Sequence, residues 1–526
     1  MFCSSIVALL GGFVLAKKSK SRSIVGSTLQ ITIAVLIIKI LGVLKQSIVA
    51  AFFGANSQTD VYFIATGVIT SLCSVIFSAI SISLLSMHSG RLIENGRTSS
   101  NNLINAVIRI FVPLSVVVAL IFGLGSPLFA KFLAPSYTGS QLKLLSHYIW
   151  LISPMFVFTC YTLIVNVTLE TDKIFLPGQG QSFFQNLFIC IAAIIGAKTF
   201  GIEILAYAFL LAGVAQCLQI TWNARNKFKF KKHITSEKKA INSLLRLSFP
   251  LLIGNAIYAI NDIVDKQVST GLGAGNASFL SFGASINEMV TTLIVSSVST
   301  VLFSHYATWV AEKQYNRVGE NFKRSIEALF VVIIPVMIMC FVCGTNIVEI
   351  LYGRGSFKHS EIISTSHVVY GYAAGFLFQA LRSNLVRIFY AFQNTRIPMM
   401  NGTIAVALNI FLCITLSRFI GVGGISLATS ISMFIVSMLL FPRIKRFIPG
   451  FSMRSTIPQL IRISVCSIVV LVIVLVAKEI IPYSTYLSFF AIGMIVIVSY
   501  AVLGWLIGIN LIREGFGVVR KKLFRN

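Results

Sequence analysis

Long apolar runs and short polar stretches alternate along the whole chain. The apolar runs reach about 20 residues or more, the length with which an α-helix crosses the hydrocarbon core of a bilayer. This pattern predicts fourteen membrane spans. They lie at about 25–45, 60–87, 104–133, 146–169, 180–198, 203–222, 243–263, 279–303, 326–345, 363–390, 399–418, 422–441, 459–478 and 484–509.

The composition agrees with this pattern. The chain has 526 residues, of which 56% are hydrophobic and 11% are charged, and its mean hydropathy is +0.87. A soluble protein of this length cannot bury so much apolar surface, so the soluble class is excluded. The predicted fold class is therefore an all-α polytopic membrane protein.

The net charge of +27 comes from Lys and Arg residues that concentrate in every second loop. The cationic stretches are 17–22, 91–97, 225–232, 313–324, 443–446 and the tail 520–525. The loops between them, such as "PSYTGSQ" and "IPYST", are short and poor in Lys and Arg. The positive-inside rule therefore predicts that both termini are cytoplasmic. The chain contains no RNA- or DNA-binding motif, and its basic residues lie in short loops between spans, so nucleic acid is not expected as a partner.

The spans predict two lobes of six helices and a C-terminal pair. The first lobe covers 25–222, a basic cytoplasmic linker covers 223–242, and the second lobe covers 243–441. The last two spans and a basic cytoplasmic tail occupy 442–526. In residues 1–24 the apolar part is too short to span and precedes the basic cluster, the reverse of a signal peptide. We expect either an interfacial segment there or a start that is assigned too early.

A weak internal repeat favours pseudo-symmetric lobes. The stretch "SIVAAFFGANSQTDVYFIATG" (47–67) aligns with "KQVSTGLGAGNASFLSFGASI" (266–286), and each contains a Gly-Ala pair between two apolar spans. Both copies start from the same side, which predicts a parallel repeat about an axis along the membrane normal. Chance similarity between apolar stretches is the alternative.

Ionisable residues inside predicted spans are costly to insert, so they usually line a cavity or meet a partner. The candidates are Lys39, Lys45, Asp60, Asp262, Asp265, Lys266, Glu288, Arg382 and Arg387. Lys45, Asp60 and Lys266 are near span ends, where contact with the interface is the alternative. Arg382 and Arg387 are near a predicted cytoplasmic end, where anchoring of the orientation explains them.

Lys39 lies in the middle of "IAVLIIKILGVLKQ" (33–46), about two turns from the predicted outer end of the helix. A cation at this depth suits an anionic ligand such as a phosphate or a pyrophosphate. Lys39 and Lys45 are six residues apart, so they share no stripe, but both can border one wide cavity. A buried ion pair of Lys39 with Glu288 or Asp60 is the alternative.

A second candidate site lies at the end of the seventh span. Asn261 and Asp265 are four residues apart on one face of the helix, where their oxygens can chelate a small cation. An exposed charged pair of Asp265 with Lys266 is the alternative.

Four motifs occur in an order that is typical of one transporter family. They are "LGVLKQSIVAAFFGANSQTDVYF" (41–63), "IVEILYGRGSF" (347–357), "FYAFQNTRIP" (389–398) and "GVGGISLATSI" (421–431). Together they resemble the motifs of the MurJ/MviN lipid II flippases, which belong to the multidrug/oligosaccharidyl-lipid/polysaccharide exporter superfamily. The resemblance extends over most of the chain, about 25–510.

The resemblance implies a flippase in the bacterial cytoplasmic membrane, with a central cationic cavity that opens to each side in turn. Its substrate would be an undecaprenyl-pyrophosphate-linked glycan, above all the peptidoglycan precursor lipid II, moved from the inner to the outer leaflet. The same resemblance implies that four residues bind this substrate: Lys39, Lys45, Asp60 and Glu288. We expect a monomer that works among membrane lipids and holds no cofactor.

The resemblance also implies an ion site, because some members of the family bind sodium. Asn409 and Thr429 match two of those ligand positions, and Asp265 would supply the carboxylate of the seventh span. We therefore expect either Na⁺ or the membrane potential to drive transport.

The chain departs from the family pattern at three positions. Cys73 and Ser285 stand where the family has arginines, and Cys413 stands where it has an aspartate of the sodium site. The cavity is therefore less cationic than is usual for the family, and a lysine lacks the bidentate fork that arginine offers to phosphate. A flippase for another lipid-linked polysaccharide unit, of a capsule or an O-unit, is the main alternative.

Two further classes compete with a flippase. A MATE-type exporter of organic cations would share the twelve-span core but would need an acidic cavity, against which the lysines argue. A polytopic glycosyltransferase or lipid phosphatase would need carboxylates or histidines gathered at one membrane face. Four of the six histidines, His147, His305, His359 and His367, are instead dispersed along the chain. We therefore expect a transporter and not an enzyme.

Overall fold

The computed structural model describes residues 24–230, 237–292, 306, 308–448, 451–481 and 485–514, with side chains from residue 33 onward. The regular elements of these residues are helices, which confirms the all-α prediction. In chain order they are α1 (Ile24–Phe53), α2 (Ser57–Leu124), α3 (Ser126–Leu133), α4 (Gly139–Ile152), α5 (Met155–Thr171), α6 (Gly180–Phe200), α7 (Glu203–Ala224), α8 (Lys238–Thr270), α9 (Asn276–Val290), α10 (Tyr315–Tyr352), α11 (His359–Ala373), α12 (Phe376–Ala391), α13 (Arg396–Ile420), α14 (Val422–Ile444), α15 (Ile457–Ile480) and α16 (Thr485–Ile507). The predicted N-terminal segment 1–24, except for its last residue, and part of the linker lie outside the described residues.

Eleven helical segments among the described residues are long and apolar enough to cross a membrane. Three features account for the difference from the fourteen predicted spans. One helix contains two predicted spans, one predicted span is broken into two short helices, and the predicted span 279–303 lies partly outside the described residues. The observed helices are therefore consistent with fourteen spans.

The helix that contains two predicted spans is α2, which covers 68 residues. It breaks at Gly96, whose φ of 73° and ψ of 177° lie outside the helical region. Glycine adopts a positive φ without the steric cost that a side chain would bring. The sequence predicted the apolar runs 60–87 and 104–133 as separate spans. In the structure the polar residues between these runs are helical as well, on both sides of the break at Gly96.

The predicted span 363–390 is broken between α11 and α12. Ser430 of α14 packs into this break, and its hydroxyl donates to the carbonyl oxygen of Gly371 at 2.5 Å. A side chain at Gly371 or Gly375 would collide with α14, so both glycines permit the close approach of the helices. The hydroxyl satisfies a carbonyl near the end of α11, and this lowers the cost of interrupting a helix inside a membrane.

The chain divides into two compact units, one ending at Ser278 and the other beginning at Phe279. In the first unit α2 packs against α4, α5 and α8, while α6 packs against α1 and α7. The seventh predicted span, α8, therefore packs within the first unit. The lobe bounds 25–222 and 243–441 stay a prediction.

In the second unit the C-terminal pair α15 and α16 packs against α10. Cys343, Val470 and Val496 meet in the apolar core of this contact. The backbone of α10 departs from helical geometry at Cys343, and Lys478 Nζ donates to the neighbouring carbonyl of Val342 at 2.8 Å. The pair is thus fixed to α10 by an apolar core and by one charge-assisted hydrogen bond.

Candidate functional site

The predicted substrate residues Lys39 and Lys45 lie on α1, and both side chains are partly buried. The contact of α1 with α6 fixes the rotation of α1, because Asn186 Nδ2 donates to the carbonyl of Ile38 at 3.2 Å. Gly42 lies against the same asparagine side chain. Lys45 is seven residues beyond Ile38 and therefore shares its stripe of the helix, whereas Lys39 is rotated by about 100° from that stripe.

Asp60 lies near the start of α2, just after the turn at Gly54, and is fully buried. One carboxylate oxygen accepts from the backbone N–H of Gly275 at 2.6 Å. The other accepts from the backbone N–H of Ser278 at 2.7 Å and from its hydroxyl at 2.6 Å. Asp60 therefore satisfies free N–H groups at the start of α9, where a negative charge is also favoured by the helix dipole.

A polar seam joins α2 to α8 within the first unit. Residue numbers rise along α2 as they fall along α8, so the two helices run antiparallel. The seam consists of three pairs, Ser78–Asn255, Ser71–Asp262 and Gly67–Lys266. Since each pair contains a small residue of α2, the long polar side chains of α8 can lie against the backbone of α2.

The charged part of this seam is an ion pair between Lys266 and Asp262. Lys266 Nζ donates to Asp262 Oδ2 at 2.6 Å, and Ser71 Oγ donates to the same oxygen at 2.5 Å. The Lys266 ammonium lies over Gly67, where any side chain would displace it. The side chain of Lys266 is 14% exposed and that of Asp262 is 44% exposed, so the pair is open on the carboxylate side.

The predicted ion ligands divide between the two units. In the second unit Asn409 Nδ2 donates to Thr429 Oγ1 at 2.9 Å, so two of the three predicted ligands are in contact. Cys413 is buried one turn further along α13. Asp265 is in the first unit, is buried, and accepts from Asn261 Nδ2 at 3.2 Å. A sodium site formed by these groups stays a prediction.

The fourth predicted substrate residue, Glu288, is exposed on α9. One turn before it, Ser285 donates its hydroxyl to the carbonyl of Ser281 at 3.0 Å, so that this position supplies no charge. Cys73 is buried in the first unit and likewise supplies no cation. Both departures from the family pattern therefore remove positive charge without bringing in a substitute at the same position.

A cavity of about 370 Å³ lies along α12 in the second unit. Its lining residues are Gln379, Arg382, Ser383, Val386, Arg387 and Tyr390. They recur every three or four residues and so form one face of the helix. Arg382 Nε donates to Asn401 Oδ1 of α13 at 3.2 Å, which orients its guanidinium. The cavity presents two guanidinium groups and three neutral polar side chains to a ligand.

A cluster of ion pairs ties the end of α5 to α2 and to the start of the linker. Asp172 accepts from Arg97 at 2.7 Å and also pairs with Lys227. Burial raises the pKa of the Asp172 carboxyl, but the hydrogen bonds and charges of Arg97 and Lys227 outweigh burial and lower the pKa below its ordinary value. Beside this cluster, Arg91 pairs with Glu237 at 3.0 Å.

The sequence indicated Lys266 and Asp262 as polar residues in a span but did not indicate their partners on α2. The signal for those partners is the spacing of Gly67, Ser71 and Ser78, which places three small residues on one stripe of an apolar helix. Small residues on one stripe are typical of close helix contacts in membranes. The cap that Asp60 forms had no such signal, because Asp60 and Ser278 are 218 residues apart.

Comparison with known proteins identifies the family. The family model described as "Lipid II flippase MurJ" matches residues 49–496. A probable lipid II flippase MurJ of Treponema pallidum (strain Nichols) is 24% identical over 466 residues, which are 85% of this chain and 85% of the relative. Another, of Buchnera aphidicola subsp. Baizongia pistaciae, is 23% identical and covers 89% of this chain and 93% of its own length.

Solved structures give the same fold. A lipid II flippase MurJ in an inward closed conformation superposes with a TM-score of 0.81 at 23% identity, over 92% of this chain and all of that one. A MATE multidrug transporter in an inward-facing conformation superposes with a TM-score of 0.65 at 12% identity, over 82% of this chain and 99% of its own. The chain is a multi-pass membrane protein that belongs to the MurJ family of lipid II flippases.

Proposed function

We propose that the protein moves lipid II from the inner to the outer leaflet of the bacterial cytoplasmic membrane by alternating access. Membership of the MurJ family supports this substrate. The observation that carries the proposal is Lys39, a partly buried cation in the middle of the apolar helix α1. An intramembrane cation is costly to insert, so its presence favours a role in handling an anion.

The chemistry of the substrate explains why a cation is needed at this depth. A pyrophosphate that enters hydrocarbon loses its hydration, and an isolated charge pays a large desolvation cost there. Charge-assisted hydrogen bonds from Lys39, and from Lys45 six residues further along α1, would offset part of this cost. The free-energy cost of inserting the lysines into the membrane also falls if the cavity that they line contains water.

The cavity along α12 offers a second place for phosphate oxygens. Arg382 and Arg387 each present a planar fork that matches phosphate geometry better than a lysine does. A volume of about 370 Å³ is too small for a whole glycopeptide head group but accommodates a pyrophosphate and adjoining atoms. We propose that Lys39 and Lys45 bind the head group and that Glu288 contacts it at the edge of the path, while Asp60 holds the start of α9 in place.

The second candidate is a flippase for another undecaprenyl-pyrophosphate-linked glycan, of a capsule or an O-unit. It is favoured by the two positions that lack the usual arginines, Cys73 and Ser285. A cation exporter of the MATE type shares the fold, but the partly buried lysines of α1 argue against a cationic substrate. A glycosyltransferase is not favoured, since the four histidines of the sequence analysis are dispersed along the chain.

We further propose that the protein works as a monomer with both termini in the cytoplasm. Na⁺ held by Asp265, Asn409 and Thr429, or the membrane potential, would drive transport. The contact of Asn409 with Thr429 supports the sodium alternative, because both side chains offer oxygen atoms, which Na⁺ prefers as ligands.

Depletion of the protein in its own host tests the substrate. We expect lipid II to accumulate on the cytoplasmic leaflet, where a membrane-impermeant reagent added from outside does not modify it. Accumulation of a different undecaprenyl-pyrophosphate-linked sugar, with lipid II unchanged, would select the second candidate. Accumulation of neither lipid would overturn the flippase proposal.

A further inference from the structure

A single turn of 3₁₀-helix, Leu176–Gln179, connects α5 to α6 in the first unit. Buried amide side chains of α5 and α7 lie against this connecting turn. Asn166 of α5 is 4% exposed, and Gln216 of α7 is 1% exposed. A buried amide oxygen requires a hydrogen-bond donor or a cation, because the loss of its hydration is otherwise uncompensated.

Both amides donate from their nitrogen atoms. Asn166 Nδ2 donates to Glu170 Oε1 at 2.7 Å, and Gln216 Nε2 donates to the carbonyl of Pro177 at 3.3 Å. The oxygens Asn166 Oδ1 and Gln216 Oε1 are buried and have no hydrogen-bond partner among the described residues. Exchanging oxygen and nitrogen in either amide would place two acceptors face to face, so the bonds to Glu170 and Pro177 determine which atoms stay unpartnered.

Two glycines let these oxygens approach the backbone at the connecting turn. A side chain at Gly180 would collide with Gln216 Oε1, and its Cβ would lie 3.1 Å from Gln219 Oε1. A Cβ at Gly178 would lie 3.2 Å from Asn166 Oδ1. Gln216 and Gln219 are three residues apart and so share one face of α7. Three amide oxygens therefore surround the turn at close range.

Glu170 brings a negative charge to the same place. Its carboxylate is partly buried and accepts from Asn166. The ion pairs among the described residues do not include Glu170, and the nearby cations Arg97 and Lys227 both pair with Asp172. A partly buried carboxylate without a cation is unfavourable, and the C-terminal end of α5 adds the negative end of a helix dipole. A positive ligand would stabilise this arrangement.

The chemistry of the donors selects the class of cation. They are all oxygens, which bind alkali and alkaline-earth ions in preference to soft transition metals. Sites for Ca²⁺ usually contain several carboxylates, whereas here one carboxylate lies beside neutral amides. A single negative charge is balanced by a monovalent cation.

We propose that the first unit binds an alkali cation at the connecting turn, with the amide oxygens of Asn166 and Gln216 as ligands and Glu170 as the counter-charge. The cation joins the end of α5 to α7 beside the start of α6. This site shares no residue with the predicted sodium site, and it does not depend on the transported substrate. In the predicted orientation the turn lies on the cytoplasmic side, where K⁺ is the abundant alkali ion.

Thermal unfolding of the full chain in a non-ionic detergent at neutral pH tests the site. KCl is compared with tetramethylammonium chloride at equal ionic strength, since the organic cation is too large for a site built around a tight turn. K⁺ is used rather than Na⁺ so that the predicted sodium site contributes little. We expect the unfolding temperature to rise with the K⁺ concentration until the site is saturated, and to stay lower in tetramethylammonium.

Two variants locate the response. Glu170→Gln removes the charge at nearly constant size, and Gln216→Met removes one amide oxygen. Each should abolish the difference between the two salts, even where it lowers the unfolding temperature in both. The matched control is Glu94→Gln, which neutralises an exposed carboxylate of α2 and should respond to K⁺ as the parent does. If one of the two variants does not fold, the other decides.

Equal unfolding temperatures of the parent protein in the two salts would overturn the inference and leave a protonated Glu170 with ordered water at the turn. A full response to K⁺ in Glu170→Gln or in Gln216→Met would also overturn it, because the cation would then bind elsewhere. None of these outcomes bears on lipid II transport, which is measured separately.

Discussion

Asp60 accepts hydrogen bonds from both the backbone N–H and the hydroxyl of Ser278, at 2.7 and 2.6 Å. One buried carboxylate thereby joins the start of α2 to the start of α9. The resemblance to the flippase family implied a substrate ligand at this position. The geometry instead favours a positioning role, since both oxygens of the carboxylate are already occupied by the first turn of α9.

The substitution Asp60→Asn tests this role. The amide keeps the size of the side chain but replaces one acceptor oxygen by a donor, which then faces an N–H group. We expect the free energy of unfolding to fall by about 1.5–3 kcal/mol, the contribution of hydrogen bonds to a charged group. Thermal unfolding in detergent measures the loss. An Asp60→Asn protein of unchanged stability that no longer binds lipid pyrophosphate would instead identify Asp60 as a ligand.

The predicted ion site can be examined without measuring transport. If Asp265, Asn409 and Thr429 bind sodium in the folded protein, Na⁺ should raise the unfolding temperature above that in K⁺ at equal ionic strength. At 100 times the dissociation constant the stabilisation is about 2.7 kcal/mol. Asp265→Asn and Thr429→Val should both remove this difference. Equal unfolding temperatures in Na⁺ and K⁺ for the unmodified chain would leave the membrane potential as the driving force.

The Asp172 cluster predicts a pH dependence of stability. Because its folded pKa is lowered, Asp172 stabilises the protein at pH values above the pKa of the unfolded chain, and this stabilisation is lost as the pH falls through the folded pKa. Asp172→Asn should cost about 0.5–1 kcal/mol at pH 7, since the pairs are partly exposed. The difference should disappear well below about pH 4.

Thermal unfolding of both proteins between neutral and acidic pH provides the measurement for this cluster. The matched control is Glu94→Gln, which neutralises an exposed carboxylate on the same stretch of α2. A stability difference between Asp172→Asn and the parent that stays constant with pH would show that the charge of Asp172 is not what stabilises the cluster.

The apolar runs of the sequence were enough to predict the helical membrane fold. A helix must be about 20 residues long to cross the bilayer, and it satisfies its backbone hydrogen bonds internally. The motifs were enough to indicate the family. The break between α11 and α12 was not predictable, since it depends on Ser430 reaching the carbonyl of Gly371 from a distant part of the chain. Periodicity along one helix carries no information about such partners.

The candidate site was likewise predictable only in part, because its contacts between distant parts of the chain leave no signal in the sequence. Lys39 could be identified because a cation stands out in an apolar run, and Asn409 and Thr429 could be paired through the family motifs. The pairing of Lys266 with Asp262 follows from a spacing of four residues, but the contact of that pair with Ser71 does not. That contact depends on the register between two antiparallel helices, which is set by packing along their whole length.

The central claim is that Lys39 carries the head group of a lipid-linked anion. Its most direct test is the transfer of lipid II to the outer leaflet of reconstituted vesicles by the parent protein, by Lys39→Met and by Lys39→Arg. Lys198→Met, which alters an exposed lysine in the last turn of α6, is the matched control.

We predict that Lys39→Met lowers the transfer rate about 10- to 100-fold, which corresponds to the loss of one hydrogen bond to a charged group. Lys39→Arg and Lys198→Met should retain most of the rate. Lys39→Met removes the charge and keeps the apolar stem, so the helix should still insert and fold. A Lys39→Met protein that transfers lipid II at the rate of the parent would contradict the claim.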